Sequence, residues 1–111
     1  MSTARARNEP TEKEVQRRVK ALYRSVGCQM WDTSDYRRAH ITPGLPDLFV
    51  FHLRKRVAWT HEVKAPDGRP TRDQGRWQWC VEMCGGVALI GGYDVALAHL
   101  QSLGLVAKVG P

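Results

Sequence analysis

Residues 44–64, GLPDLFVFHLRKRVAWTHEVK, decide the predicted fold of this chain. Apolar, β-branched and aromatic residues fill both halves of the stretch, and the basic residues 54–56 separate them. This pattern is typical of two short strands joined by a hairpin turn. Charged residues stand at the outer ends of the strands: Asp47 opens the first, and Glu62 and Lys64 close the second.

The two charged strand ends are predicted to meet. Strand side chains alternate between the faces of a sheet, so Glu62 and Lys64 point to one face and Val63 to the other. In an antiparallel hairpin the start of the first strand lies opposite the end of the second, which places Asp47 near this pair. An ordinary salt bridge from Lys64 explains any single pairing. Two carboxylates that converge at one end of a sheet indicate instead a site for a hard cation such as Mg²⁺.

The motif Pro46-Asp47, followed by Glu62-Val63-Lys64, resembles the signature of the PD-(D/E)xK nuclease superfamily. A longer run resembles the VRR-NUC branch of that superfamily: GLPD at residues 44–47, EVKAPDGRP at residues 62–70, and then Gln74. The resemblance implies an α/β, restriction-endonuclease-like fold with a small mixed β-sheet flanked by helices.

The same resemblance implies a set of site residues. It gives a divalent metal, Mg²⁺ or Mn²⁺, the ligands Asp47, Glu62 and the backbone carbonyl of Val63. It makes Asp47, Glu62, Lys64 and Gln74 catalytic, with Gln74 beside the site to orient a phosphate or the metal-bound water. Thr71-x-x-Gln74 also has the form of a capping box, which gives Gln74 a structural role that does not exclude one at the site.

The first helix is predicted to supply one more carboxylate. Thr11-x-x-Glu14 is a capping box, a stripe of apolar residues follows, and Gly27 ends the helix. Glu12 falls inside the stripe. In VRR-NUC proteins a glutamate in a Glu-x-x-apolar-Gln pattern completes the metal site, and residues 12–16, EKEVQ, match that pattern. Glu12 is therefore the predicted ligand and catalytic residue. Glu14 is the alternative, Gln16 is a candidate for orienting a ligand or water, and Glu12 interacting only with the helix dipole remains open.

The C-terminal half completes the predicted sheet. A helix is predicted from Thr71 to the glycines at 85–86, with a buried stripe formed by Trp77, Cys80, Val81 and Cys84. Residues 87–90 form a buried-type strand, and residues 93–102 form a short helix. A strand, a helix and a strand in succession imply a parallel crossover, whereas the hairpin is antiparallel, so the sheet is mixed.

Composition bounds the function. The 111 residues predict one domain at 11–111 after a basic flexible tail at 1–10, and the net charge of +6 favours a polyanionic partner. The candidate DNA contacts are Arg37, Arg38, Arg69, Arg72 and Arg76, because arginine is suited to binding phosphate through two hydrogen bonds. Three cysteines without zinc spacing predict a reducing, cytoplasmic compartment in a bacterial or phage-infected cell. No signal peptide or membrane-length apolar run is visible in the sequence.

Together these features predict a metal-dependent, structure-selective DNA endonuclease. Stand-alone VRR-NUC proteins of this length resemble phage or bacterial enzymes that cleave four-way (Holliday) junctions as homodimers, so a homodimeric junction resolvase is the leading hypothesis. One alternative is a flap or single-strand nuclease on the same site. Others are a nucleic-acid-binding protein whose acidic residues are structural, and a small metal-binding or interaction protein unrelated to DNA. Carboxylates near phosphate have no use in a module that only binds DNA, which argues against the nucleic-acid-binding protein.

Overall fold

The computed structural model describes residues 9–34 and 42–108. The elements in chain order are α1 (Glu12–Ser25), β1 (Gln29–Asp32), β2 (Leu48–His52), β3 (Val57–Val63), α2 (Arg72–Met83), β4 (Ala88–Gly91) and α3 (Tyr93–Ser102). The strands form one sheet in the order β1-β2-β3-β4, in which the first three are antiparallel and β4 is parallel to β3. The predicted small mixed sheet flanked by helices is confirmed. No helix in the described ranges is long and apolar enough to cross a membrane.

The hairpin of β2 and β3 has the predicted register. Leu48 lies opposite His61, so Asp47, the residue before β2, comes opposite Glu62 at the end of β3. Leu48 is buried against the core, and a slip of one residue would turn it toward the other face. The hydrophobic pattern of the hairpin therefore also fixes where the two acids meet.

Helix α1 is anchored on the face of the sheet that carries the main core. Its capping box is formed: the Glu14 N–H donates to Thr11 Oγ1 at 3.1 Å, and the Thr11 N–H donates to Glu14 Oε1 at 2.7 Å. The hydroxyl of Tyr23, which is fully buried, lies 2.7 Å from His61 Nδ1 and accepts the Trp59 indole N–H at 3.2 Å. These buried hydrogen bonds tie α1 to β3, the strand that ends at Glu62 and Val63.

Helix α2 covers the opposite face only in part. The expected buried stripe of Trp77, Cys80, Val81 and Cys84 is wrong: within α2, all of whose residues the structure describes, none is buried, and Cys80 and Cys84 are exposed. Trp77 is half-buried, with its ring 6.1 Å from that of Phe49, and its indole N–H donates to Thr60 Oγ1 at 3.1 Å. Four short strands offer α2 too little surface to bury its whole apolar side.

Candidate active site

The register of the hairpin brings two carboxyl groups into contact. The side chains of Asp47 and Glu62 are hydrogen-bonded to each other, and Asp47 Oδ2 also accepts the backbone N–H of Val63 at 3.1 Å. Burial, reinforced by the charge of Asp47, raises the pKa of Glu62 to about 8. Burial also raises the pKa of Asp47, against the lowering effect of the Val63 N–H. Two ionised acids in contact repel each other, so the pair shares a proton at neutral pH.

Lys64 adds one positive charge to this pair. Its Nζ lies 3.6 Å from Glu62 Oε2, and only 13% of its side chain is exposed. The Lys64 N–H donates to the carbonyl of Gly91 at 3.0 Å, which holds the end of β3 against β4. The ammonium lowers the pKa of both carboxyls and so partly opposes the effect of burial. The sequence prediction that Lys64 joins Asp47 and Glu62 in space therefore agrees with the structure.

A cleft of about 320 Å³ opens in front of the two acids. Gln74 lines this cleft beside Asp47 and Glu62, and its side-chain oxygen accepts the Thr71 N–H at 2.8 Å, so the capping role and the site position coexist. Gly44 lines the same cleft with a φ of +88°, and a Cβ there would lie 2.5 Å from the carbonyl oxygen of Asp73. Glycine is needed because the loop that leads to Asp47 touches the first turn of α2.

A polar network on the β1 side is a feature that sequence reasoning missed. Asp32 forms an ion pair with Lys20 and accepts hydrogen bonds from the Ser34 N–H at 2.8 Å and the Ser34 hydroxyl at 2.5 Å. Burial works to raise the pKa of Asp32, but Lys20 and Ser34 together hold it below its ordinary value. Gln16 donates to the Ser34 hydroxyl at 2.8 Å, so this predicted orienting residue belongs to the network.

Asp32 also acts on the acidic pair. Its negative charge contributes to the raised pKa of Asp47, although Asp32 itself is not in the cleft lining. The position follows from strand pairing, in which Asp32 lies opposite Leu48. The available sequence signal is a carboxylate at the end of the short run CQMWD, residues 28–32.

Glu12 lies at the start of α1, exposed, and near enough to Glu62 for its charge to raise the pKa of that residue. Within residues 9–34 and 42–108, no three Asp, Glu, His or Cys side chains lie close enough together to hold one metal ion. Glu12 therefore does not complete a three-acid cluster. Its role as a ligand stays a prediction. Glu14, the alternative, is engaged in the capping box of α1.

The donors that do come together fit a hard divalent cation. Asp47 and Glu62 offer carboxylate oxygens at the wall of an open cleft, and the proton they share marks a place where positive charge is favourable. Mg²⁺ is commonly bound by one or two carboxylates, with water and substrate phosphate completing the shell. The chemistry of this pair therefore suits Mg²⁺ or Mn²⁺. The carbonyl of Val63 remains a predicted ligand.

The predicted DNA contacts divide into two groups. Arg69, Arg72 and Arg76 are exposed around the start of α2, where helix N–H groups also favour an anion. Arg37 and Arg38 lie outside the described residues. A basic surface thus borders the element that carries Gln74.

Comparison with known proteins supports the fold. A solved structure described as a VRR_NUC domain superimposes with a TM-score of 0.64 at 23% sequence identity, covering 84% of this chain and 97% of that chain. Neither a protein-family model nor a curated protein sequence matches the chain. The chain therefore has the fold of a VRR-NUC domain, which is restriction-endonuclease-like, as the sequence motifs implied.

Proposed function

We propose that this chain is a metal-dependent DNA endonuclease that hydrolyses phosphodiester bonds. The observation that carries the proposal is the meeting of Asp47, Glu62 and Lys64 at one end of the two central strands of the sheet, beside an open cleft. Two buried carboxyls repel DNA phosphates unless a cation lies between them, so this arrangement has no use in a protein that only binds DNA. The likeness to a VRR_NUC domain structure agrees with this function.

The proposed roles follow from the positions of the side chains. Asp47 and Glu62 would hold the cation, together with the Val63 carbonyl and, directly or through water, Glu12. The chemistry supplied by a cation bound there would be polarisation of the scissile phosphate and a lower pKa of the attacking water. Lys64, 3.6 Å from Glu62, offsets the negative charge that develops on the phosphate oxygens.

Gln74 is proposed to orient the phosphate or the attacking water. Its backbone position is fixed by the capping box at the start of α2, and its side chain borders the cleft. The exposed residues Arg69, Arg72 and Arg76 would bind backbone phosphates regardless of sequence. Such contacts carry no base-sequence information, so the proposed selectivity is for the shape of the DNA. The proposal of a four-way junction in particular rests on the resemblance to stand-alone VRR-NUC proteins.

An exposed aromatic surface supports a homodimer. Trp31 on β1 is 61% exposed, and its ring lies 5.4 Å from that of Phe51. Phe49, the strand partner of Trp31, continues this row of rings to Trp77 on α2. Exposed apolar patches commonly mark protein–protein contacts. A two-fold dimer would carry two active sites, as paired cuts in a four-way junction require.

The catalytic proposal is tested with labelled linear duplex, flap and four-way junction DNA in Mg²⁺, Mn²⁺ or EDTA. The wild type should cut in either metal and not in EDTA. Asp47→Asn should still bind the junction but not cut it, whereas Glu82→Gln, an exposed change on α2, should cut normally. DNA that is bound but left whole in metal would favour the nucleic-acid-binding alternative. Full activity of Asp47→Asn would refute the proposed mechanism.

The dimer proposal is tested by light scattering. The wild type should have twice the 12.6 kDa mass of one chain, and Trp31→Arg should reduce it to one chain. Leu53→Arg is the matched control, because Leu53 is 66% exposed but lies in the hairpin turn and not on the paired strands that carry the aromatic row. A monomeric wild type at the concentration of the cutting assay contradicts the paired-cut model.

A further inference from the structure

A second, larger cleft borders the acidic site. It has a volume of about 470 Å³, and Lys64 lines it, whereas Glu62, 3.6 Å from the Lys64 ammonium, lines the first cleft. Its walls come from α1, from the loop after β3 and from the turn between β4 and α3. The catalytic roles proposed above use none of these wall residues except Lys64.

We propose that this second cleft holds one unpaired nucleotide of the DNA strand, next to the phosphate that is cut. The inference rests on the nuclease function proposed above and adds to it the form of DNA that the site accepts. The acids and Lys64 would act on the phosphate, while the second cleft would receive the neighbouring sugar and base.

The size and the walls of the cleft fit a single nucleotide. Pockets for small ligands usually measure about 300–1,000 Å³, and a paired base with its partner strand does not fit at the lower end of that range. Val15, Ile90 and Val95 give the cleft apolar walls, and Pro66 lies at an exposed position on its rim. Apolar walls favour the faces of a base and a sugar over an inorganic anion.

The charged groups point to the same ligand. The Arg18 guanidinium lies 4.9 Å from the centre of the Tyr93 ring, and this contact holds a planar cation at the cleft. A planar guanidinium can bind a phosphate through two hydrogen bonds or stack on a base. Asp94 lines the cleft as well, so the cleft does not favour a bare anion throughout. A base, with amino groups that a carboxylate can accept from, suits the mixture better.

A cleft for one unpaired nucleotide gives a physical reason for selecting branched DNA. In a linear duplex each base is paired and stacked, and opening one costs about a few kcal/mol. At a branch point the stacking of base pairs is interrupted, so a base can leave its pair and enter the cleft at lower cost. Selection would then come from the availability of an unpaired base and not from its identity.

The test measures binding by fluorescence anisotropy in EDTA, so that it does not depend on cutting. A four-way junction is prepared intact and with an abasic analogue at each nucleotide beside the branch point in turn. Pro66→Trp fills the rim and Arg18→Ala removes the planar cation. Arg17→Ala is the matched control, because it removes the same charge from the neighbouring residue of α1, which does not line this cleft.

Arg18→Ala and Pro66→Trp should each bind the intact junction about five- to tenfold more weakly, and Arg17→Ala less than about twofold. Removal of the base at one position beside the branch point should weaken binding by the wild type to a similar degree. The same change should not weaken binding by Pro66→Trp any further. Equal losses in Arg17→Ala and Arg18→Ala, or no abasic effect on the wild type, would overturn the nucleotide site. Metal-dependent cutting without any abasic effect would overturn this inference alone. An abasic effect in a protein that never cuts would overturn the nuclease function instead.

Discussion

Replacement of Glu62 by glutamine should make the metal-free protein more stable while it removes cutting. Glutamine keeps the shape of the side chain, and its amide N–H can donate to Asp47 in place of the shared proton. It has no charge to bury, whereas Glu62 must take up a proton when the chain folds at neutral pH. The same change therefore separates the cost of the acidic pair from its proposed function.

The size of the effect follows from the raised pKa of Glu62. The pKa of this carboxyl is about 8 in the folded chain and 4.5 ordinarily, so the folded state binds more protons between these pH values. Stability is therefore lost as the pH rises through this window, and the loss at pH 7 amounts to about 3 kcal/mol. Water in the open cleft screens part of this cost and leaves a loss of stability of about 2 kcal/mol. Glu62→Gln should recover that amount, and the gain should vanish near pH 4.5.

The assay is thermal unfolding with and without divalent metal, with Glu82→Gln as the control. In a domain of this size a gain of 2 kcal/mol raises the Tm by about 8 °C. Mg²⁺ or Mn²⁺ at about 100 times its Kd should stabilise the wild type by about 2.7 kcal/mol, because the cation binds only the folded chain. Glu62→Gln, with one carboxylate fewer, should respond much less.

Two results would refute this reasoning. If Glu62→Gln melts below the wild type in EDTA at pH 7, the acidic pair is not a cost to the fold. If metal raises the Tm of the wild type, Glu62→Gln and Glu82→Gln by equal amounts, the cation does not bind at the pair. The first result concerns the protonation of the site, and the second concerns its proposed ligand.

The remaining predictions concern residues around the pair. Glu12→Gln should slow cutting in Mg²⁺ far more than Glu14→Gln, measured as the rate at saturating junction; the reverse order would make Glu14 the ligand. Asp32→Asn should lower the free energy of unfolding by about 1 kcal/mol in urea titration, because Lys20 loses its partner; an unchanged midpoint would contradict that. Burial lowers the pKa of His61 to about 4 from an ordinary 6.5, so the unfolded chain binds more protons than the folded chain between these pH values. The free energy of unfolding should therefore fall as the pH drops from 6.5 to 4, by up to about 3 kcal/mol. The raised pKa of Glu62 has the opposite effect on stability, so the pH dependence is measured in the Glu62→Gln variant. A free energy of unfolding that does not change from pH 6.5 to 4 would count against the prediction for His61.

The hairpin could be predicted because its signals are local. Alternating apolar residues, a glycine–proline start and a basic turn all lie within residues 44–64, and strand alternation then brings Asp47 opposite Glu62. The two capping boxes are equally local, since each depends on residues three apart. These short-range rules predict that Asp47, Glu62 and Lys64 meet, whereas the roles proposed for these residues come from the resemblance.

The features that were missed depend on distant pairing. Asp32 comes near the site because β1 pairs with β2. The 15 residues between the end of β1 and the start of β2 are too many for the sequence of a two-residue turn to predict that register. The burial of α2 depends on how much sheet lies beneath it. The spacing of Cys80 and Cys84 is correct for one helix face, but spacing does not tell whether that face meets a partner.

The parallel pairing of β3 and β4 links the two clefts. Both strands end at the site, β3 at Val63 and β4 at Gly91, and ligand sites favour the carboxyl ends of parallel strands. Gly91 has a φ of +144°, and a Cβ there would lie 2.6 Å from a methyl group of Val95, so glycine lets the chain enter α3 at once. That turn forms one wall of the second cleft, while the end of β3 supplies Glu62 and Lys64. A side chain at residue 91 should therefore disturb the second cleft before it disturbs the acidic pair.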